Sequence, residues 1–122
     1  MILVDTAVWI DHLRVGDAAL AALLNSSQVL MHPFILSELA CGNLRNRAEV
    51  LRLLKVLPHA TPATDAEVLF FIERHALMGR GIGYVDAHLL ASAALVGATQ
   101  LWTRDKRLRT VADSLALAYG NA

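Results

Sequence analysis

Short apolar segments alternate with segments of helical periodicity along the whole chain. Residues 1–4 form an apolar run typical of a strand buried on both faces, and residues 28–31 and 99–103 form two further strand-like segments. The segments between them have the lengths and the start and stop residues of helices. This alternation predicts an α/β fold, in which helices cover both faces of a parallel sheet.

The helical segments are recognised by apolar spacing and by residues that start or stop a helix. Pro33 suits a first helical position, Gly42 suits a helix stop, and residues 64–67 have the sequence of a capping box. Thr6 is expected to cap the first helix. The predicted helices cover residues 6–14, 18–24, 33–41, 47–56, 65–78, 84–96 and 106–115, and residues 117–119 are expected to form a last edge strand.

The length of 122 residues allows one domain, which we expect to span residues 1–122. Hydrophobic residues make up 56% of the chain and charged residues 18%, which excludes a disordered chain and predicts a substantial core. The longest charge-free run, residues 18–37, is interrupted by Asn25 and Pro33, so no membrane span is predicted. Residues 1–5 lack the features of an export signal, and the single cysteine, Cys41, is expected to be a buried small hydrophobe. These features fit a reducing cytoplasm.

A net charge of zero argues against a general nucleic-acid binder, which is usually basic because it neutralises phosphates. Local clusters of basic residues answer this objection in part. The clusters are Arg104, Lys106, Arg107 and Arg109 in one segment and Arg45 and Arg47 in another. Both clusters can hold RNA phosphates, and solvated charge on a helix face explains any one of these residues equally well.

Most of the eleven acidic residues have ordinary explanations. Asp17 and Asp65 stand at helix starts, and Asp11 has Arg14 three residues on, which is the spacing of a solvated helix pair. Four other acids look wrong for a surface, because their neighbours in the sequence or along a helix face are apolar. These four are Asp5, Glu38, Asp86 and Asp105.

Asp5 and Asp105 follow apolar strands, so both are expected at the carboxyl edge of the sheet, where functional groups gather. Helices beside that edge can bring Glu38 and Asp86 to the same place. Carboxylates so close together repel one another, and a divalent cation removes that conflict. All-oxygen ligands favour Mg²⁺, or Mn²⁺, over zinc. From the residues alone an ordinary role also stays open, with Asp86 as a helix-start charge and Asp105 as a turn residue.

Four segments of the chain together resemble one protein family. They are residues 2–11, ILVDTAVWID, residues 37–42, SELACG, residues 83–91, GYVDAHLLA, and residues 101–105, LWTRD. In this order they are similar to the motifs of PIN domains, and most similar to those of the VapC-type ribonuclease toxins of bacterial toxin–antitoxin pairs. The resemblance covers essentially the whole chain. It implies a three-layer α/β/α sandwich with a short, mostly parallel central sheet of four to five strands.

The resemblance also implies an activity and a site. The implied activity is endonucleolytic hydrolysis of RNA with Mg²⁺, or Mn²⁺, as cofactor, by a toxin that inhibits translation or growth. The Thr103 hydroxyl resembles the family's supporting Ser or Thr, and Thr6 is a second candidate for that role. Related sequences often carry a further acid or amide after the fourth aspartate, whereas Lys106 and Arg107 stand there in this chain, which leaves one and two metal ions both open. The implied catalytic and metal-binding residues are Asp5, Glu38, Asp86 and Asp105.

Partners are implied as well. Toxins of this family resemble homodimers that bind a cognate VapB-like antitoxin, whose tail covers the active site. We expect that groove on the helix faces that carry Trp9, Leu13, Leu20 and Leu23. The five histidines include no pair with the spacing of zinc ligands, so we expect no catalytic histidine.

Two other functional classes stay open. A PIN-like module that binds RNA or protein without cutting would have lost one of the four acids, and all four are present. A phosphotransfer domain also places aspartates at strand tips. However, Ala7 stands where a dehalogenase-like Asp-X-Asp motif has its second acid, and residues 1–4 leave no place for the acidic pair of a receiver domain. The sequence therefore favours a metal-dependent endoribonuclease.

Overall fold

The computed structural model describes residues 1–120. Its centre is a parallel sheet of three strands, β1 (Ile2–Val4), β2 (Val29–Leu30) and β3 (Gln100–Trp102), in the order β2-β1-β3. All of β1 is buried, as expected for a central strand that is covered on both faces. The predicted α/β class and parallel sheet are therefore confirmed.

Helices surround this sheet, and most of their bounds lie within one or two residues of the prediction. The helices in the described part of the chain are α1 (Thr6–Val15), α2 (Ala18–Asn25), α3 (Pro33–Cys41), α4 (Arg47–Lys55), α5 (Asp65–Arg74), α6 (Tyr84–Leu95) and α7 (Lys106–Ser114). The predicted capping box opens α5, because the Thr64 hydroxyl accepts the Glu67 N–H and the Glu67 carboxylate accepts the Thr64 N–H.

The end of α5 differs from the prediction. The helix ends at Arg74 rather than near residue 78. Ala76 has a left-handed φ of 51°, and the Leu77 N–H donates to the Ile72 carbonyl at 3.0 Å, which is a helix-stop geometry. This turn directs Leu77 into the core. Leu77, whose spacing fits the apolar face of the helix, therefore belongs to the turn that ends α5 and not to the helix itself.

The sheet has fewer full strands than the four to five expected, and its outer edges show why. Beside β2, Met31 and His59 form one isolated parallel bridge. The Met31 N–H donates to the Pro58 carbonyl at 2.8 Å, and the Ala60 N–H donates to the Met31 carbonyl at 2.8 Å. Pro58 has no N–H to lengthen this pairing, so the segment stays a single bridge.

The opposite edge is limited in the same way. Beside β3, Leu101 and Ala118 form a second isolated parallel bridge, at the place predicted for the last edge strand. Ala116 and Gly120 flank it with φ values of 59° and 80°, which are incompatible with an extended strand. Within residues 1–120, five chain segments therefore lie side by side, but only the inner three are strands.

Two predictions about apolar side chains were wrong. Trp9 is 2% exposed and Leu20 is 0% exposed, while Leu13 and Leu23 are half-buried and pack against the same core. Trp9 and Leu20 therefore belong to the protein's own core and cannot line a partner groove, and of the four residues only Leu13 also borders a groove. Cys41, expected to be buried, is exposed as the last residue of α3. Within residues 1–120, no helix combines the length and apolar character needed to cross a membrane.

One buried histidine, His32, joins three parts of the fold. Its Nδ1 accepts the Phe34 N–H at 3.0 Å, which caps α3, and its Nε2 lies 3.2 Å from the Ser92 hydroxyl oxygen of α6. Because Nδ1 is an acceptor, the neutral ring carries its proton on Nε2 and donates it to Ser92. The Ser92 oxygen also accepts the Ala63 N–H at 3.2 Å. The sequence had placed His32 in a loop, without this network.

Candidate active site

The carboxyl edge of the sheet brings two of the predicted acids close to each other. Asp5 directly follows β1, and its N–H continues the sheet pairing by donating to the Trp102 carbonyl at 2.9 Å. Thr103 and Asp105 follow β3, which is the parallel neighbour of β1. Because both strands point the same way, the residues after them meet at one edge.

The Thr103 hydroxyl bridges the two aspartates. It donates to Asp5 Oδ2 at 2.8 Å and accepts the Asp105 N–H at 3.1 Å. Thr103 is buried, so both partners meet this hydroxyl away from bulk water. The threonine therefore orients the Asp5 carboxylate and the start of α7 at the same time.

A second threonine bridge connects Asp5 to Glu38. The Thr6 N–H donates to Asp5 Oδ1 at 2.8 Å, and the Thr6 hydroxyl donates to Glu38 Oε1 at 2.8 Å. Asp5 rather than Thr6 is thus the capping residue of α1, which corrects the prediction for Thr6. Because Asp5 caps α1, the Thr6 hydroxyl is not needed for capping and can donate to Glu38 of α3.

Asp86 completes the group from the first turn of α6. Its Oδ2 accepts the Gly83 N–H at 3.1 Å, and its side chain is half-buried. Burial raises the pKa of Asp86, and the negative charges of Asp5, Asp105 and Glu38 raise it further, against the opposing effect of the Gly83 bond. The other three predicted acids are therefore near enough to act electrostatically on Asp86.

Asp105 is held as the capping residue of α7. Its Oδ1 accepts the Leu108 N–H at 2.9 Å, and the side chain is exposed. Each of three acids still has a carboxylate oxygen that accepts no hydrogen bond from residues 1–120. These oxygens are Glu38 Oε2, Asp86 Oδ1 and Asp105 Oδ2.

The donor set fits a hard divalent cation in its chemistry. All the side-chain donors are oxygens, and three of those oxygens accept no hydrogen bond within residues 1–120. The pKa of Asp86 is raised first by burial and then by like charges, and a cation would relieve the repulsion between those charges. Among the residues that the structure describes, no three acidic, histidine or cysteine side chains already stand close enough to enclose a cation. Binding a cation would therefore draw the carboxylates together.

Two of the basic residues predicted near Asp105 form contacts within the protein itself. Arg104 contacts Asp11 Oδ2 and Asp17 Oδ2, each at 3.1 Å, so Asp11 pairs with Arg104 rather than with Arg14 as expected. Arg109 lies 3.7 Å from Asp113 and donates to the Gly120 carbonyl. Both arginines are thus part of the protein's own contacts.

The histidines lie outside the acid cluster. His88 is buried with its Nε2 at 3.2 Å from Asp65 Oδ1, and Tyr84 donates its hydroxyl to the same oxygen at 2.6 Å. The His88 ring also packs against the ring of Phe34. Sequence analysis predicted only a helix-start role for Asp65, since nothing in the local pattern indicates a contact with a helix about twenty residues further on.

A groove of about 590 Å³ runs between α1, α3 and the segment leading into α4, and it reaches Glu38. Its lining is mainly apolar, with two arginines among the polar residues. The lining residues are Ile10, Leu13, Arg14, Val15, Glu38, Leu39, Gly42, Asn43, Leu44, Arg45 and Val50. Only Leu13 was among the residues predicted to form such a groove.

Comparisons with known proteins agree with this architecture. A family model described as PIN domain matches residues 2–114. Ribonuclease VapC32 from each of two strains of Mycobacterium tuberculosis is 49% identical over 118 residues, which covers 97% of this chain and 95% of the relative. The crystal structure of FitAcB from Neisseria gonorrhoeae has the same fold, with a TM-score of 0.65 at 23% identity, over 93% of this chain and 94% of that one. The chain therefore belongs to the PIN domain family and, within it, to the VapC-type ribonucleases.

Proposed function

We propose that this chain is an endoribonuclease that hydrolyses RNA phosphodiester bonds with Mg²⁺, or Mn²⁺, as cofactor. Its catalytic and metal-binding residues would be Asp5, Glu38, Asp86 and Asp105, with Thr103 as the supporting hydroxyl. The observation that carries the proposal is the pair of threonine bridges, which ties acids from separate elements to Asp5 at one edge of the sheet. The relatives named ribonucleases lend further support.

Each residue has a distinct part in this proposal. When bound by the four carboxylates, the cation would polarise a phosphoryl oxygen and acidify water. Thr103 and Thr6 keep both oxygens of Asp5 oriented, so Asp5 presents a fixed charge. Asp86 is the proposed general base, because its raised pKa makes it a stronger proton acceptor than an ordinary aspartate.

The test is cleavage of a single-stranded RNA by the purified chain in Mg²⁺, in Mn²⁺ and in excess chelator. We expect cutting with either ion, none in chelator, and recovery when the ion is restored in excess. Cutting that persists in chelator would overturn the metal dependence. RNA binding without any cutting would instead favour the alternative of a binding module that has lost catalysis. The phosphotransfer alternative is wrong, because the chain belongs to the PIN family.

We further propose that the nuclease is the toxin of a toxin–antitoxin pair in the cytoplasm and inhibits growth until a VapB-like antitoxin binds it. The groove beside Glu38 replaces the groove predicted from the sequence, and it suits an antitoxin tail that has both apolar and acidic side chains. Its lining combines the exposed Ile10 with Arg14 and Arg45, and it lies next to a proposed catalytic acid. An occupant there would cover the approach to the site.

We also propose a homodimer, formed through a face that is separate from this groove. Phe70 is 67% exposed and Leu69 is 61% exposed on α5, which is unusual for large apolar residues. Ile10→Glu is expected to abolish antitoxin binding and keep the dimer, whereas Phe70→Glu is expected to give a monomer that still binds the antitoxin. Light scattering with and without antitoxin measures both. A wild-type chain that is monomeric, or an Ile10→Glu variant that binds normally, would contradict the corresponding assignment.

A further inference from the structure

A basic pocket lies beside the acid cluster, between the connector after α5 and the first turns of α7. Its volume is about 260 Å³. Two of its residues flank the proposed site in the chain, since Lys106 follows Asp105 and Arg80 comes three residues before Gly83, the hydrogen-bond partner of Asp86. The lining residues are Arg80, Lys106, Arg107, Thr110 and Val111.

The three cations of this pocket differ from their basic neighbours. Arg104 and Arg109 are bound by aspartates, whereas Arg80, Lys106 and Arg107 have no ion pair within residues 1–120. Three like charges therefore face one cavity without an acidic partner from the described chain. This arrangement offers its charge to an external anion.

The Arg107 side chain also lies against the backbone of the connector at Gly81. A Cβ atom built on Gly81 would lie 2.6 Å from Arg107 Cδ and 3.1 Å from Arg107 Nη1, so the arginine side chain would have to move. The arginine side chain thus lies against a position that only glycine leaves open. Gly81 also has a φ of 80°, which favours glycine. The present position of the Arg107 side chain in the pocket therefore depends on glycine at position 81.

We infer that this pocket binds a phosphate of single-stranded RNA next to the phosphate that is cut, an inference that rests on the proposed ribonuclease function. An Arg guanidinium can hold two phosphate oxygens, and a Lys ammonium adds a point charge. The acid cluster by itself repels a polyanion, and the neutral net charge gives no general attraction. Cations placed directly beside the acids supply that attraction where the strand has to lie.

The first test measures binding of a fluorescent single-stranded RNA in chelator, so that the strand stays intact. Arg107→Gln and Lys106→Gln are each expected to weaken binding about tenfold, the effect of losing a charge-assisted contact. Each should also make the slope of log K against log salt shallower by about 0.7. The charge-matched control is Lys55→Gln. Lys55 precedes the segment that pairs in parallel with β2, so it lies toward the opposite edge of the sheet, and its loss should leave affinity near the wild-type value.

The second test removes the shape of the pocket and keeps every charge. Gly81→Ala should displace Arg107 and weaken RNA binding about as much as Arg107→Gln does. Gly79→Ala is the matched control, because Gly79 has a similar φ of 71° but a Cβ there would contact nothing within 4 Å. It carries the same backbone strain without touching Arg107, so it should bind RNA like the wild type. Thermal unfolding of both variants shows whether strain alone affects the fold.

The outcomes separate this inference from the proposed function. If the wild type cuts RNA but the pocket variants bind RNA like Lys55→Gln, the phosphate site is wrong and the ribonuclease stands. If the wild type binds RNA through the pocket but never cuts it, the phosphate site stands and the ribonuclease proposal fails. Equal affinities for Gly81→Ala and Gly79→Ala would refute the role given to the Gly81–Arg107 contact.

Discussion

Asp86→Asn is expected to lower RNA cleavage about a thousandfold, because losing several kcal/mol of charge stabilisation at a metal-assisted step corresponds to a factor of that order. The same change should leave the free energy of unfolding at pH 7 unchanged or higher. The pKa of Asp86 is raised in the fold, so its charged form is disfavoured there above that pKa, and an uncharged amide removes the cost. Asparagine can still accept the Gly83 N–H. Single-turnover cleavage and urea unfolding measure the two effects.

Glu67→Gln is the matched control for Asp86→Asn. Glu67 occupies the same position in α5 that Asp86 occupies in α6, and each accepts the backbone N–H of its capping residue. Hydrogen bonds from Thr64 lower the pKa of Glu67, so its charge is favourable in the fold. Glu67→Gln should therefore cost some stability and leave cleavage unchanged. The assignment fails if Asp86→Asn cuts normally, or if it loses activity only because it unfolds.

Acidification between pH 6.5 and 4 is expected to destabilise the fold through His32. Burial, followed by the nearby charges of His88 and His59, lowers the pKa of His32 from 6.5 to about 4. The unfolded chain therefore takes up this proton first as the pH falls. The contribution of His32 to stability is complete above pH 6.5, declines below it, and levels off below pH 4, for a total of about 3 kcal/mol. Denaturant unfolding at several pH values gives this curve.

His32→Asn separates this titration from the carboxylates that titrate in the same range. Asparagine is a good capping residue and can still accept the Phe34 N–H, but it carries no charge in acid. The variant should be less stable at pH 7 and lose less stability on acidification than the wild type. His12→Asn is the control, since the His12 Nδ1 also accepts a backbone N–H but the residue is half-exposed. Parallel pH curves for wild type and His32→Asn would contradict the assignment.

The sequence carried enough information to place two acids on the sheet edge. Asp5 and Asp105 follow short apolar strands, and parallel strands bring their carboxyl ends together, so local pattern and topology agree. Glu38 and Asp86 were singled out because they interrupt apolar helix faces. Their position depends on how α3 and α6 pack against the sheet. The sequence pattern is compatible with that packing but does not determine it.

Contacts between segments that are distant in the chain could not be predicted from the sequence. The pairing of Arg104 with Asp11 joins residues far apart in the chain, whereas sequence spacing suggested a partner within the helix. Trp9 shows a second limit, since an apolar helix face looks the same whether it covers the protein's own sheet or a partner. The contact between Arg107 and Gly81 shows a third, because it depends on the absence of one side-chain atom.

The order of the strands has a consequence for the synthesis of this protein. The middle strand is made first, while the hydroxyl that orients Asp5 comes from Thr103, 98 residues later. A ribosome has therefore joined most of the amino acids before the two ends of the site can meet, and polypeptides released early lack one half of it. The proposed site can therefore form only after β3 has been made and has paired with β1.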